Sequence, residues 1–136
     1  MPEFIGRFTG QTFALLRIVT GLMFVLHGTQ KVFGYPPSDK MPHPLPTIAV
    51  AAGIIELVCG VAILIGLFVG IAAFIASGEM AVAYFMAHAK NGFWPINNGG
   101  ELAVVYCFVF LFFAAHGAGI WSVDSAIRRG GTLPPS

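Results

Sequence analysis

The chain has 136 residues, of which 57% are hydrophobic and only 10% charged, with a mean hydropathy of +0.82. A soluble domain of that make-up lacks the polar surface to cover itself, so residues 1–136 read as a single all-α membrane domain, a bundle of four transmembrane helices that consumes most of the chain. A net charge of +1 and the lack of any basic run exclude a nucleic-acid partner and leave the lipid bilayer as the partner that composition demands.

The first apolar segment runs from Gln11 to Phe33 and contains FALLRIVTGLMFVLHG. It is long, has no small-residue cleavage pattern and carries Arg17 and His27, so it reads as a retained span rather than a signal peptide. The connection GYPPSDKMPHPL, Gly34 to Leu45, holds four prolines and cannot continue a helix; it is a surface loop in which His43 is exposed. A second span, Pro46 to Phe68, and a third, Val69 to Ala89, meet at a tight connection bracketed by Gly66 and Gly70, as in an antiparallel helical hairpin. In the next loop, KNGFWPINNGG, Phe93 and Trp94 suit the headgroup zone, with a lid over an interhelical site as the competing role. The fourth span runs from Gly100 to His116, and the tail GAGIWSVDSAIRRGGTLPPS supplies a short amphipathic stretch that lies along the membrane surface before fraying. Arg7, Arg128 and Arg129 lie on one side and Lys40 and Lys90 on the other, which places both termini in the cytoplasm. No internal repeat is evident.

A charge at the centre of a membrane helix costs about 2.5–3.5 kcal/mol even on the gentlest scales, so each ionisable residue there must pair, reach a polar surface or be neutral. Arg17 lies about 9 Å into the first span and is within snorkelling reach of the surface. Glu56 and Glu79 sit near mid-span, about 15 Å from either end, beyond the reach of a glutamate. At about 100° per residue, Arg17, Gly21, Phe24, Gly28 and Lys31 form one stripe, with Thr20 and His27 on its flank. Ala49, Ala52, Gly53, Glu56 and Gly60 repeat the pattern in the second span, and Ala72, Ala76, Glu79 and Ala83 in the third; small residues of this kind let membrane helices close up. Two roles compete for the deep charges. Arg17 pairs with Glu56 or Glu79 to hold the bundle, or one carboxyl stays protonated by burial and exchanges its proton with the interior.

Towards the opposite surface, His27 and Lys31 at i and i+4 are expected to gather with Gln30, His88 and Glu101, and Tyr84 shares a face of the third span with His88. Glu101 at a helix N-terminus is favoured electrostatically, which gives it a structural role as an alternative. His27, Lys31, Tyr84, His88, Trp94 and Glu101 thus form the candidate ligand site. Polar groups there would bond the carbonyls of a quinone while aromatic side chains sandwich its ring. No metal or haem is expected, because HxxH, ExxH and HExxH spacings are absent and His116 ends the fourth span about 22 Å along that helix from Glu101. Cys59 and Cys107 form no CxxC and each is expected to pack as a small hydrophobe, with a disulfide between spans as the alternative.

Four stretches in this order, LLRIVTGLMFVLHGTQKVFG, GIIELVCGVAILIGL, MAVAYFMAHAKNGFWPINNGGELAVVY and GAGIWSVD, resemble the DoxX family, within a wider group that includes the DoxD-type subunit of thiosulfate:quinone oxidoreductases. The resemblance implies a four-helix bacterial inner-membrane protein associated with redox systems, and no established catalytic residues. It also implies that Arg17, His27, Gly28, Lys31, Glu56, His88, Gly100, Glu101, Ser122 and Asp124 occupy the family's polar and glycine positions; Glu79 does not map onto that pattern. Three functions follow as expectations. The first is a membrane subunit of a redox system that binds quinone between its helices. The second is a non-catalytic accessory subunit packed against a larger membrane complex; the partner expected besides lipid is a membrane protein or, instead, a second copy of the chain in a homo-oligomer. The third is a small transporter or proton path through Arg17, Glu56 and Glu79, a reading that no broken-helix pair supports.

Overall fold

The computed structural model describes residues 3–42 and 44–130, so the expected exposure of His43 and fraying of the last residues fall outside the described residues. A short α1 (Glu3–Gly6) precedes α2 (Thr9–Phe33), α3 (Thr47–Ile65) and α4 (Val69–Ala83); α4 continues through a π-helical turn, Tyr84–His88, and a 3₁₀ turn, Ala89–Asn91. Then follow α5 (Pro95–Asn98), α6 (Glu101–His116) and α7 (Val123–Arg129), with no strand among the described residues. The all-helical expectation holds. Thr9–Phe33, Thr47–Ile65 and Val69–Asn91 are long and apolar enough to cross a membrane, whereas α6 has 16 residues, a rise of about 24 Å.

Glycine stops the second span earlier than hydropathy alone implies. Gly66 adopts φ 78°, its N–H donates to Ala62 O at 2.9 Å, and Leu67 N–H donates to the same carbonyl at 2.8 Å, which closes α3 three residues before Phe68. Phe68 is itself left-handed at φ 50°, so two residues of positive φ, Gly66 and Phe68, reverse the chain into α4.

Three different seams hold the helices together. Between α2 and α3 the backbones touch: a Cβ on Gly28 would lie 2.6 Å from Leu57 N, one on Gly21 2.7 Å from Leu64 N, and one on Gly60 2.9 Å from Val25 N. Between α4 and α6, buried Ala72, Ala73, Ala76 and Ser77 let the helices approach, and Ser77 Oγ donates to the Cys107 carbonyl at 2.7 Å. Between α2 and α6 the filler is aromatic. Phe24 meets Phe110 at 4.6 Å and Tyr106 at 5.5 Å, and Phe13 meets Phe113 at 5.5 Å, the α6 rings recurring at i, i+4 and i+7. Cys59 and Cys107 are both free thiols.

Candidate functional site

The helix seams bring polar groups from all four long helices to one place. Lys31 near the end of α2 turns inward, and its Nζ bonds Glu56 Oε1 of α3 at 2.6 Å. Glu56 is 1% exposed. Glu79 of α4 lies beside Glu56 and within the field of Lys31. Tyr106 of α6 is 4% exposed and close to Glu56, and the His27 ring stands edge-on to it at 6.0 Å. Among the described residues, the buried side-chain oxygens and nitrogens without a hydrogen-bond partner are Glu56 Oε2, Glu79 Oε2 and Tyr106 Oη, all members of this cluster. Buried polar atoms are paired as a rule, so three orphans in one cluster set it apart from the rest of the core.

Arg17 joins a separate assembly, not the carboxyls. With 0% exposure it is fully buried, and its guanidinium donates to carbonyls: Nε to Ile63 at 3.1 Å, Nη1 to Ala118 and to Ile120 at 3.1 Å, and Nη2 to Trp121 at 2.7 Å. Asp124 completes the join, accepting from Phe68 N at 2.9 Å and Val69 N at 3.3 Å while its own N–H donates to Gly66 O at 2.9 Å. A Cβ on Gly66 would collide with Ser122, so the α3–α4 turn must be glycine for the tail to seat on it. The expected pairing of Arg17 with Glu56 or Glu79 is therefore corrected: the planar fork is spent on backbone acceptors at one end of the bundle. The tail is fastened to that bundle end through residues 118–124.

At the other end, Asn98 organises the loop before α6. Its side-chain amide donates to Gly92 O at 2.8 Å and to Tyr84 Oη at 3.1 Å, its Oδ1 accepts from Gly100 N at 2.8 Å, and Tyr84 Oη donates to Phe93 O. His88 Nδ1 lies 3.3 Å from Asn98 O. The side of the bundle beneath this loop carries a groove of about 430 Å³ between α4 and α6, walled by Tyr84, Phe85, Phe93, Trp94 and Phe108 and floored by Met80, Ala103 and Cys107.

The six residues expected to form one ligand site are thus divided. His27 and Lys31 face the interior cluster, Tyr84 and Trp94 line the groove, His88 buttresses the loop, and Glu101 is exposed at the start of α6. Lys31 bridges what had been expected as two zones, joining the outer group to the deep carboxyl Glu56. Sequence reasoning missed Tyr106, whose signal is a lone hydroxyl in the apolar run ELAVVYCFVF, and Asn98, whose signal is an amide in the turn-forming NNGG. His116 stacks on Phe13 at 3.9 Å, far from the other described histidines in role.

Comparison with known proteins gives a consistent relationship. The DoxX family model matches residues 12–89, more than half of the chain. A Haemophilus influenzae protein described as uncharacterized is 44% identical over 120 residues, covering 82% of this chain and 87% of its own. An uncharacterized membrane protein of Mycobacterium tuberculosis is 27% identical over 136 residues, covering 86% of this chain and 82% of its own. No solved structure matches.

Proposed function

The chain belongs to the DoxX family of membrane proteins, and from that premise we propose that it is a membrane subunit of a redox-associated system that binds a lipid-soluble ring of the quinone type in the groove between α4 and α6. The observation that carries this reading is the groove itself. Its volume of about 430 Å³ falls in the range of small-molecule sites, and its walls are aromatic rings at the height where α4 passes into a π-helical turn. A ring entering sideways from the lipid would slide between Phe85, Phe93 and Trp94 without crossing a polar surface. Tyr84 Oη is already committed to Phe93 O and Asn98, so stacking rather than hydrogen bonding would supply most of the affinity.

The same reading includes a four-span topology in a bacterial inner membrane with both termini cytoplasmic. Support comes from the two ends of α6: Gly100 packs against Tyr84 at the loop end, while residues 118–121 reach Arg17 at the opposite end, so α6 runs the length of the bundle. The accessory-subunit reading draws no particular support from the exposed apolar faces, since Ile71, Phe74, Phe85 and their like suit lipid as well as a protein partner.

The test uses Trp94 as the reporter in a Trp121→Phe background. A short-chain quinone analogue is expected to quench its fluorescence saturably in the native groove, and Ala81→Phe, which narrows the groove, to weaken that binding about tenfold. Quenching that never saturates, or that Ala81→Phe leaves unchanged, sinks the reading.

A further inference from the structure

The charges around Glu56 do not balance. Two carboxyls, Glu56 on α3 and Glu79 on α4, are neighbours, and one ammonium, Lys31 from α2, is bonded to one of them at 2.6 Å. The second oxygen of each carboxyl is buried and meets no donor, and the Tyr106 hydroxyl from α6 is buried beside them without a partner. The remaining titratable groups that face the pair are His27 on α2 and Cys59 on α3. His27 stands edge-on to Tyr106 and makes no hydrogen bond among the described residues, so an imidazolium there would have no acceptor to hold it. An excess negative charge in such surroundings is penalised, and the smallest remedy is a proton that turns one carboxyl into a donor for the other.

We propose that Glu56 and Glu79 hold one exchangeable proton between them, so that the cluster of Lys31, Glu56 and Glu79 is electrically neutral and forms an intramembrane proton-binding site. When the pair releases its proton the cluster carries one negative charge. The pair holds this proton whether or not the α4–α6 groove takes a ring.

Infrared spectroscopy of the chain in lipid at neutral pH tests this directly. The native protein is expected to show the C=O stretch of a protonated carboxyl, shifted on exchange into deuterium oxide. Glu79→Gln, a neutral isostere, removes the band while leaving the Lys31–Glu56 bond. Glu56→Gln also removes it, because the remaining carboxyl then ionises against Lys31. In Lys31→Met the band grows, since neutrality then requires a second proton. A native spectrum without the band, a band that survives either glutamine substitution, or no growth in Lys31→Met overturns the proposal.

Discussion

Arg17 and Lys31 belong to the same stripe of α2 and do opposite work. Lys31 keeps a single point charge on a single carboxylate at 2.6 Å, whereas Arg17 makes four hydrogen bonds to carbonyls from α3 and from the segment after α6. Backbone carbonyls leave no trace in a sequence, which is why the sequence offers Arg17 the membrane surface or a glutamate as partner and not these carbonyls. Replacing it by Met strands four acceptors, two of them buried, and each buried orphan costs about 1–3 kcal/mol. Arg17→Met is therefore expected to lower the unfolding temperature in detergent sharply and to release the tail, seen as faster trypsin cleavage at Arg128 and Arg129. Arg17→Lys should recover only part of the loss, since an ammonium cannot span the fork. Unchanged cleavage in Arg17→Met would show that the tail is held by other means. Asp124 makes a smaller contribution of the same kind: Asp124→Ala removes the acceptor for Phe68 N and Val69 N, and thermal unfolding should report a loss of about 0.5–2 kcal/mol, typical of a lost helix cap.

At the scale of the elements, the glycines of α2 and α3 were legible as small residues on facing stripes, and the structure turns that pattern into backbone contact. Gly28 is the tightest case, with Leu57 N 2.6 Å and Gly53 O 2.9 Å from where its Cβ would be. Even Gly28→Ala must push α2 from α3, a form of overpacking that costs about 1–3 kcal/mol. Gly78 in α4 is the control, because nothing lies within 4 Å of its missing Cβ; Gly78→Ala should be neutral or stabilising by up to about 1 kcal/mol. Unfolding of the two variants side by side measures the difference, and equal stabilities would mean the α2–α3 seam is slack. Element ends were less legible than element existence. Hydropathy stays high through Leu67 and Phe68, so nothing apolar marks the stop of α3; the left-handed Gly66 and its hydrogen bonds to Ala62 and Ile63 do, while the packing of Ser122 and Asp124 on that turn, more than fifty positions away, has no local signal. The π-helical turn at Tyr84–His88 had no advance signal, because the Tyr84–Asn98 contacts that accompany it are tertiary.

For the molecule as a whole, the open matter is how a 16-residue α6 belongs to a bundle whose other long segments have 19 to 25 residues. A rise of about 24 Å falls short of a hydrocarbon core of about 30 Å. The deficit lies at ends that are both tied down: Asn98 and Gly100 hold the start of α6 beside Tyr84, and residues 118–121 are drawn to Arg17, which reaches into the bundle to meet them. Short helices are accommodated by local thinning of the bilayer and by polar groups that reach in from the interface, and Arg17 with its carbonyl partners is such a group. The proposed four-span topology puts Asp39, in the loop after α2, on the face opposite α7. Introduced cysteines test it, in a background where Cys59 and Cys107 are replaced by Ala. Asp39→Cys, exposed in the loop, is expected to react with a membrane-impermeant maleimide on intact cells, and Ala126→Cys, exposed on α7, only after the membrane is opened. Neither change alters the lysines and arginines that set orientation. If both positions react from the same side, α6 does not cross, and the Arg17 junction would then have to form within the membrane rather than at its edge.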